Sequence, residues 1–251
     1  MEPKDQLFSG KSDSYSKYRP SYPPEVMKIL KEKYGLTSSM VIADVGCGTG
    51  ILASIFLENG NKVYCIDPNE EMLEIAKREL KDYQNAIFMR GYAEQTGLED
   101  GSVNVISAGQ AFHWFNMDKT KREFKRVLMA PYLVVLVWND RDNKDDFTKE
   151  YENIISHYSK GYRATGSTVI SSDSLSQFFN WSYGYYQYSN IQELDFEGLI
   201  GRYLSASYSL PKDDSRYQEM VTRMKRAFDT FQKDGKVQMK YTTKLFVGRL
   251  P

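Results

Sequence analysis

The sequence predicts an α/β fold in which a seven-stranded, mostly parallel sheet carries helices on both faces and a helical insertion or lid near the C-terminus. Short apolar segments alternate with helix-like segments between residues 41 and 139, and this alternation is typical of parallel strands joined by crossover helices. Three glycines directly follow the first apolar segment. Near the C-terminus, residues 185–196 and 236–250 have the alternating polarity of closing strands.

Five strands and four helices are expected in the first part of the chain. The opening helix begins at Pro24, which a first helical turn tolerates, and Gly35 ends it. A later helix starts with proline, asparagine and two acids, which the positive end of a helix dipole favours. The expected helices cover residues 24–34, 49–60, 68–83 and 117–128, and the expected strands cover residues 40–46, 62–67, 86–94, 102–110 and 132–139.

The second part is predicted to supply the two closing strands, with a helical insertion between them that covers the site. Residues 145–182 combine helical and irregular segments. Residues 197–209 are expected to be helical, and residues 213–235 form a clear amphipathic helix pattern.

Composition excludes several classes of protein. The 251 residues include 33 basic and 33 acidic side chains, so no net basic field attracts nucleic acid. No apolar run approaches the ~20 residues that span a bilayer, and the polar N-terminus does not resemble a signal peptide. Two cysteines and two histidines without ligand spacing make a metal site unexpected. We therefore expect a cytoplasmic protein with reduced thiols that contacts neither nucleic acid nor membrane.

The stretch "DVGCGTG" places an acid and three glycines at alternate positions after a buried strand, namely Asp44, Gly46, Gly48 and Gly50. Such a turn lets the backbone approach a ligand closely and points helix N–H groups at it. The alternative is a tight turn with only a structural role. The dinucleotide pattern G-x-G-x-x-G is not met, because Ile51 stands at its last position.

This pattern resembles the first motif of the class I S-adenosylmethionine-dependent methyltransferases, of methyltransferase type 11. The resemblance implies a Rossmann-like sheet and S-adenosyl-L-methionine as cofactor, with S-adenosyl-L-homocysteine as product. It also implies that Gly46, Cys47, Gly48 and Gly50 surround the methionine part of the cofactor and that Asp44 orients it.

Further positions match this family in order. Asp67 ends the second expected strand, where the family places an acceptor for both ribose hydroxyls, and a carboxylate can accept both bonds. A plain helix cap is the alternative for Asp67. The resemblance places Pro68 and Met72 beside the adenine.

The next two matches follow the third and fourth expected strands. Ala93 and Glu94 correspond to the family's adenine-edge motif, although Glu94 could also be a solvated loop acid. Gln110 and Ala111 are expected to contact the methionine part of the cofactor.

The N-terminal stretch "DSYSKYRPSYP" and the later "AFHWF" resemble the small-molecule branch that includes trans-aconitate methyltransferase-like proteins. In that branch the N-terminal segment lies over the cofactor, which implies roles for Tyr15, Tyr18 and Arg19. Arg19 could pair with the cofactor's carboxylate or be an ordinary surface arginine. One departure is "MAPYLV", which stands where the family has a Pro-Gly-Gly turn before the fifth strand.

The resemblance implies a single methyltransferase domain over the whole chain. We expect an N-terminal cofactor lid over residues 1–23, a cofactor-binding core over 41–140, a substrate-specificity insertion with a late strand over 141–235, and a terminal strand over 236–251. The partner would be a small-molecule methyl acceptor, and the protein would be a monomer or a homodimer.

The expected reaction is methyl transfer to an oxygen of the acceptor, a carboxylate or a hydroxyl, by in-line displacement. His113 is the candidate base, and its alternative is a pocket or core histidine; His113 and Trp114 are expected in the substrate pocket. Arg141, Arg163 and Arg202 are unranked anion partners. Two other functions stay open: a C-methyltransferase of the quinone-biosynthesis type, and a non-catalytic protein that binds S-adenosylmethionine.

Overall fold

The computed structural model describes residues 18–159, 171–206 and 208–251. The predicted site residue Tyr15, the candidate anion partner Arg163 and most of the expected N-terminal lid lie outside the described residues. The helices are α1 Glu25–Tyr34, α2 Ile51–Glu58, α3 Glu70–Glu79, α4 Met117–Val127, α5 Asp146–Tyr158, α6 Ser172–Phe178, α7 Phe196–Leu204 and α8 Tyr217–Phe231. The strands are β1 Val41–Val45, β2 Lys62–Asp67, β3 Ala86–Arg90, β4 Val103–Gly109, β5 Leu128–Arg141, β6 Tyr183–Leu194 and β7 Val237–Arg249.

One seven-stranded sheet organises the described chain, with the strand order β3-β2-β1-β4-β5-β7-β6. The first five strands pair in parallel, whereas β7 is antiparallel to both of its neighbours. The predicted α/β class and mostly parallel sheet are therefore confirmed. The strand order reverses between β1 and β4, and a ligand in such a sheet binds at the carboxyl ends of the strands beside this reversal.

Three groups of buried side chains hold the helices onto the sheet. One face packs aromatic rings such as Phe112, Phe124 and Phe178 against β4 and β5. The other face packs Leu30 and Phe56 against the same sheet. A third group lies among α5, α7, α8 and the start of β7. Helices α5, α7 and α8 thus share a core of their own beside the sheet.

Several predicted boundaries are wrong for local reasons. The third strand ends at Arg90, not at residue 94, because the chain turns back at Tyr92, which pairs with Gln95. The third helix begins at Glu70, not at residue 68, because the Asn69 side chain caps it by accepting from the Met72 amide. The fifth strand begins at Leu128 rather than 132 and continues to Arg141, because its first residue already pairs with β4.

The helices between the closing strands agree with the prediction. In the part of the chain that the structure describes, α7 and α8 lie between β6 and β7, where the sequence predicts helices over residues 197–209 and 213–235, and α5 and α6 precede β6. Among the described residues, no helix is both long and apolar enough to cross a bilayer.

Gly248 in β7 tests the packing of α6 on the sheet. A Cβ at this position would lie 2.3 Å from Cδ1 of the buried Phe179 ring. Gly248→Ala should therefore lower the free energy of unfolding by about 1–3 kcal/mol, because the well-packed ring must move. Urea unfolding measures the change, with the exposed Ser182→Ala as a control that should stay within about 0.5 kcal/mol. An equally small effect of Gly248→Ala would contradict the packing.

Candidate functional site

The turn between β1 and α2 has a backbone that favours glycine. Gly46, Gly48 and Gly50 have φ values of 69°, 55° and 88°, in the left-handed region that other residues avoid. A Cβ on Gly46 would lie 2.6 Å from the Cβ of Ala111, so the turn also approaches the segment after β4 closely. Three glycines are thus needed for the path of the chain, independently of any ligand.

Backbone hydrogen bonds attach this turn to the end of β2. The amides of Gly46 and Cys47 donate to the Ile66 carbonyl at 2.8 and 3.1 Å. The Gly48 amide donates to Oδ2 of Asp67 at 2.9 Å. The turn therefore has a fixed position between β1 and β2.

Asp67 accepts hydrogen bonds from this turn and from the segment that precedes α3. Its Oδ1 accepts from the Asn69 amide at 2.9 Å, while its Oδ2 accepts from the Gly48 amide. Burial raises the pKa of Asp67, and the two N–H donors oppose that shift. The plain helix-cap alternative for Asp67 does not describe its role, since Asn69 caps α3.

Asp44 at the end of β1 is a fully buried carboxyl group with one oxygen unused. Its Oδ1 accepts from the Ser107 hydroxyl at 2.7 Å, and no described residue hydrogen-bonds to its Oδ2. Burial raises the pKa of Asp44 to about 7, the charge of Asp67 adds to the shift, and the Ser107 bond opposes it. A buried acceptor without a donor is costly, so this oxygen suits a cationic N–H group of a ligand.

A small pocket opens beside the turn. The N-terminal segment, the end of β4 and helix α7 supply its other walls. The lining includes Asp44, Gly46, Gly48, Arg19, Gln110 and Arg202. Sequence elements that are about 180 residues apart therefore meet over the carboxyl ends of the strands.

Residues 18–22, which we call the strap, are held across the sheet by side-chain amides. Asn139 and Asn190 both donate to the Ser21 carbonyl, at 3.1 and 2.7 Å. Gln192 donates to the Tyr18 carbonyl at 2.9 Å. Sequence reasoning missed all three amide residues, because their common target is distant in the chain.

The strap also contacts α7. The Tyr18 hydroxyl donates to Glu197 at 2.8 Å, and a Cβ on Gly201 would lie 2.1 Å from the Tyr18 ring. Arg19 donates from Nη2 to the Ser205 carbonyl at 2.8 Å. Tyr18 and Arg19 are thus brought to the pocket side of the fold, and Arg19 lines the pocket itself.

The partners of the candidate anion-binding arginines distinguish two of them. Arg141 pairs with Glu152 and donates to the Tyr208 hydroxyl at 2.9 Å. Arg202 lines the pocket and donates from Nε to the Tyr241 hydroxyl at 3.1 Å. Arg163 lies outside the described residues.

The residues predicted to lie near the adenine do not line this pocket. Met72 and Ala93 are buried and Pro68 is half-buried. Glu94 accepts from the Asn116 amide at 2.6 Å, next to the start of α4. Gln110 and Ala111, in contrast, lie against the turn or line the pocket.

His113 lies in a short 3-10 turn, Phe112–Trp114, after β4. Its Nδ1 accepts from the indole N–H of the buried Trp138 at 3.4 Å, so the proton of the neutral ring belongs on Nε2. Burial lowers the pKa of His113 to about 4, and the charge of Asp140 opposes that shift. His113 as placed is a neutral donor, and it could act as a base only without the Trp138 bond.

The remaining chemistry-bearing side chains that the structure describes add no metal site. Both cysteines are free and buried, and a hydrogen bond to Cys65 raises the pKa of Cys47 together with burial. The described residues contain no group of three or more histidine, cysteine, aspartate or glutamate side chains placed to hold a metal ion.

Comparison with known proteins finds similarity to methyltransferases. Residues 43–130 match the family model described as a methyltransferase domain. An uncharacterized methyltransferase of Mycobacterium tuberculosis is 33% identical over 148 residues, which cover 59% of this chain and 58% of the relative. The chain therefore spans little more than half the length of the first curated relatives that it matches.

Two further similarities bear on fold and function. A demethylmenaquinone methyltransferase of Chlorobaculum tepidum is 40% identical over 89 residues, or 35% of this chain and 36% of that protein. The YcgJ protein of Bacillus subtilis superposes with a TM-score of 0.55 at 19% identity, over 90% of this chain and 99% of that chain. At this identity the structural likeness shows the fold alone.

Asp44 makes the stability of the ligand-free protein depend on pH. The folded carboxyl group titrates at about 7, whereas an unfolded aspartate titrates near 3.9. Between these values the folded state holds the extra proton, so the free energy of unfolding falls as pH rises from about 4 to about 7. Asp44→Asn removes this titration. Between pH 4 and pH 7 its free energy of unfolding should therefore rise relative to that of the wild type, on the order of 4 kcal/mol in total.

Thermal or urea unfolding at several pH values measures this gain. The exposed Asp82→Asn controls for the loss of one carboxylate. A stability difference between Asp44→Asn and wild type that stays constant from pH 4 to pH 7 would contradict the buried, unsatisfied state of Asp44.

Proposed function

We propose, from the premise that this chain carries a class I S-adenosylmethionine-dependent methyltransferase domain, that it transfers a methyl group from S-adenosylmethionine to an oxygen of a small-molecule acceptor. The observation that carries the proposal is the buried Asp44 carboxyl group, with its unpartnered Oδ2, beside the glycine turn. S-adenosylmethionine, when bound, supplies an electrophilic methyl group on a sulfonium. The residues of the chain bind, orient and exclude water.

The donor set fits the methionine part of this cofactor. Oδ2 of Asp44 would accept from the ammonium group, which supplies the donor that the described residues lack. The turn of Gly46, Cys47, Gly48 and Gly50, with Gln110 and Ala111, would surround the rest of this part. The strap, with Tyr18 and Arg19, would cover it and keep water out, and a dry site strengthens these electrostatic contacts.

The remaining predicted contacts stay proposals of the same kind. Each Asp67 oxygen already accepts one backbone N–H, and each has a second lone pair for a ribose hydroxyl. Pro68, Met72, Ala93 and Glu94 are the proposed neighbours of the adenine.

The neutral state of His113 agrees best with an acceptor that is already ionised. A carboxylate is charged at neutral pH and needs no base, whereas a hydroxyl or an acidic carbon must lose a proton to a base. Because the pKa of His113 is lowered to about 4 and its Nδ1 accepts from Trp138, we propose that His113 and Trp114 form a pocket wall. A carboxylate oxygen is accordingly the favoured site of methylation.

A second candidate is a C-methyltransferase of the quinone-biosynthesis type. The similarity to a demethylmenaquinone methyltransferase supports it, although the matched segment is 89 residues long. It would require a base, for which the described pocket lining offers no side chain better placed than Asp44.

Binding of S-adenosylhomocysteine should depend on the ionisation of Asp44. With a pKa of about 7, the ionised fraction of Asp44 rises about tenfold from pH 6 to pH 8, and only the ionised form pairs with the ammonium. Calorimetry should therefore show about tenfold tighter binding at pH 8 than at pH 6 for the wild type. Asp44→Asn should bind more weakly at pH 8 and lack this pH dependence.

The control ligand is NAD, which should not bind. Binding of NAD with no binding of S-adenosylhomocysteine would overturn the proposed function. Tight, pH-independent binding of S-adenosylhomocysteine to both the wild type and Asp44→Asn would support the cofactor assignment but contradict the role of Asp44.

A further inference from the structure

Arg202 on α7 is a buried cation whose partners are neutral oxygens. The residue is 4% exposed. Nε donates to the Tyr241 hydroxyl at 3.1 Å, and Nη1 donates to the Ser205 hydroxyl at 3.4 Å. Among the described residues no carboxylate lies within salt-bridge distance of Arg202, unlike Arg126, Arg141 and Arg216.

The oxygens around Arg202 orient it without neutralising its charge. Tyr241 donates its own proton to Oε1 of Gln192 at 3.1 Å, which leaves its lone pairs for Arg202. Ser205 donates to the Arg202 carbonyl at 2.8 Å. Burying an ion without a counter-charge is unfavourable, so the fold bears a cost here that stability alone does not explain.

A second guanidinium group meets Arg202 at the same serine. Arg19 of the strap donates to the Ser205 carbonyl, while Arg202 contacts the Ser205 hydroxyl. Both arginines line the pocket beside the glycine turn. Two like charges that converge in one pocket repel each other, and an anion bound there would remove both the repulsion and the uncompensated charge.

We propose that Arg202, together with Arg19, binds a carboxylate in this pocket. A guanidinium group presents a planar set of N–H donors that matches the two oxygens of a carboxylate. The carboxylate comes either from the methionine part of the cofactor or from an acidic methyl acceptor. The inference rests on the proposed function, and it makes α7 of the C-terminal insertion part of the ligand site.

Arg202→Gln tests the cofactor source with two ligands. S-adenosylhomocysteine carries the carboxylate, and 5′-methylthioadenosine lacks the whole amino-acid part. If Arg202 binds the cofactor, Arg202→Gln should weaken the binding of S-adenosylhomocysteine by roughly tenfold or more. The affinity for 5′-methylthioadenosine should change less than about threefold. Arg202→Lys should restore part of the loss, and Arg226→Gln, at an exposed position of α8, should bind like the wild type.

Unchanged affinity for S-adenosylhomocysteine points to the acceptor instead. The protein saturated with S-adenosylhomocysteine is then titrated with benzoate, glutarate and citrate, each paired with its neutral amide. Binding of an acid but not its amide, lost in Arg202→Gln, supports the acceptor source. The proposal is overturned if Arg202→Gln changes the affinity neither for S-adenosylhomocysteine nor for any of these acids.

The unfolding midpoint of the ligand-free variant separates binding from a structural role. Because Arg202 lacks a counter-charge, Arg202→Gln should leave this midpoint unchanged or raised. A lowered midpoint, together with equally weakened binding of S-adenosylhomocysteine and 5′-methylthioadenosine, would overturn the proposal. Should the wild type bind neither nucleoside, the proposed function fails, and the titrations with acids alone decide the role of Arg202.

Discussion

The attachment of the glycine turn to the end of β2 is the constraint on which the site depends. The Ile66 carbonyl accepts from Gly46 and Cys47, and the Asp67 carboxyl group accepts from Gly48. These bonds fix the left-handed path of the turn and leave Asp44 facing the pocket with one unused oxygen. The Gly48 bond also orients the buried Asp67 carboxyl group. Both carboxyl groups that we propose for cofactor binding are thus attached to the same turn, Asp44 by the chain itself and Asp67 by this bond.

The closing half of the fold brings distant segments to this turn. Because β7 lies between β5 and β6, Asn139 and Asn190 come close enough to share the Ser21 carbonyl. The strap is therefore held by the sheet from one side and by α7 from the other. Arg19 and Arg202 meet at Ser205 as a result. The site is assembled from both ends of the described chain, and its cations and its acid come from different parts of the sequence.

The sequence could predict the features that depend on short-range pattern. The parallel half, the glycine turn and the placement of Asp67 at the end of β2 all follow from residues within a few positions of one another. Arg202 could not be ranked above Arg141, because only the fold shows that Arg141 pairs with Glu152. The bond between Trp138 and His113 joins residues 25 positions apart, and it favours the pocket or core alternative for His113 over the role of a base.

A crystal structure of the protein with S-adenosylhomocysteine would show which group of the ligand faces Asp44. We predict the ligand between the glycine turn and the strap, with its amino nitrogen within hydrogen-bonding distance of Oδ2 of Asp44. A ligand bound elsewhere, or one whose amino group points away from Asp44, would contradict the assignment of the buried carboxyl group to the cofactor.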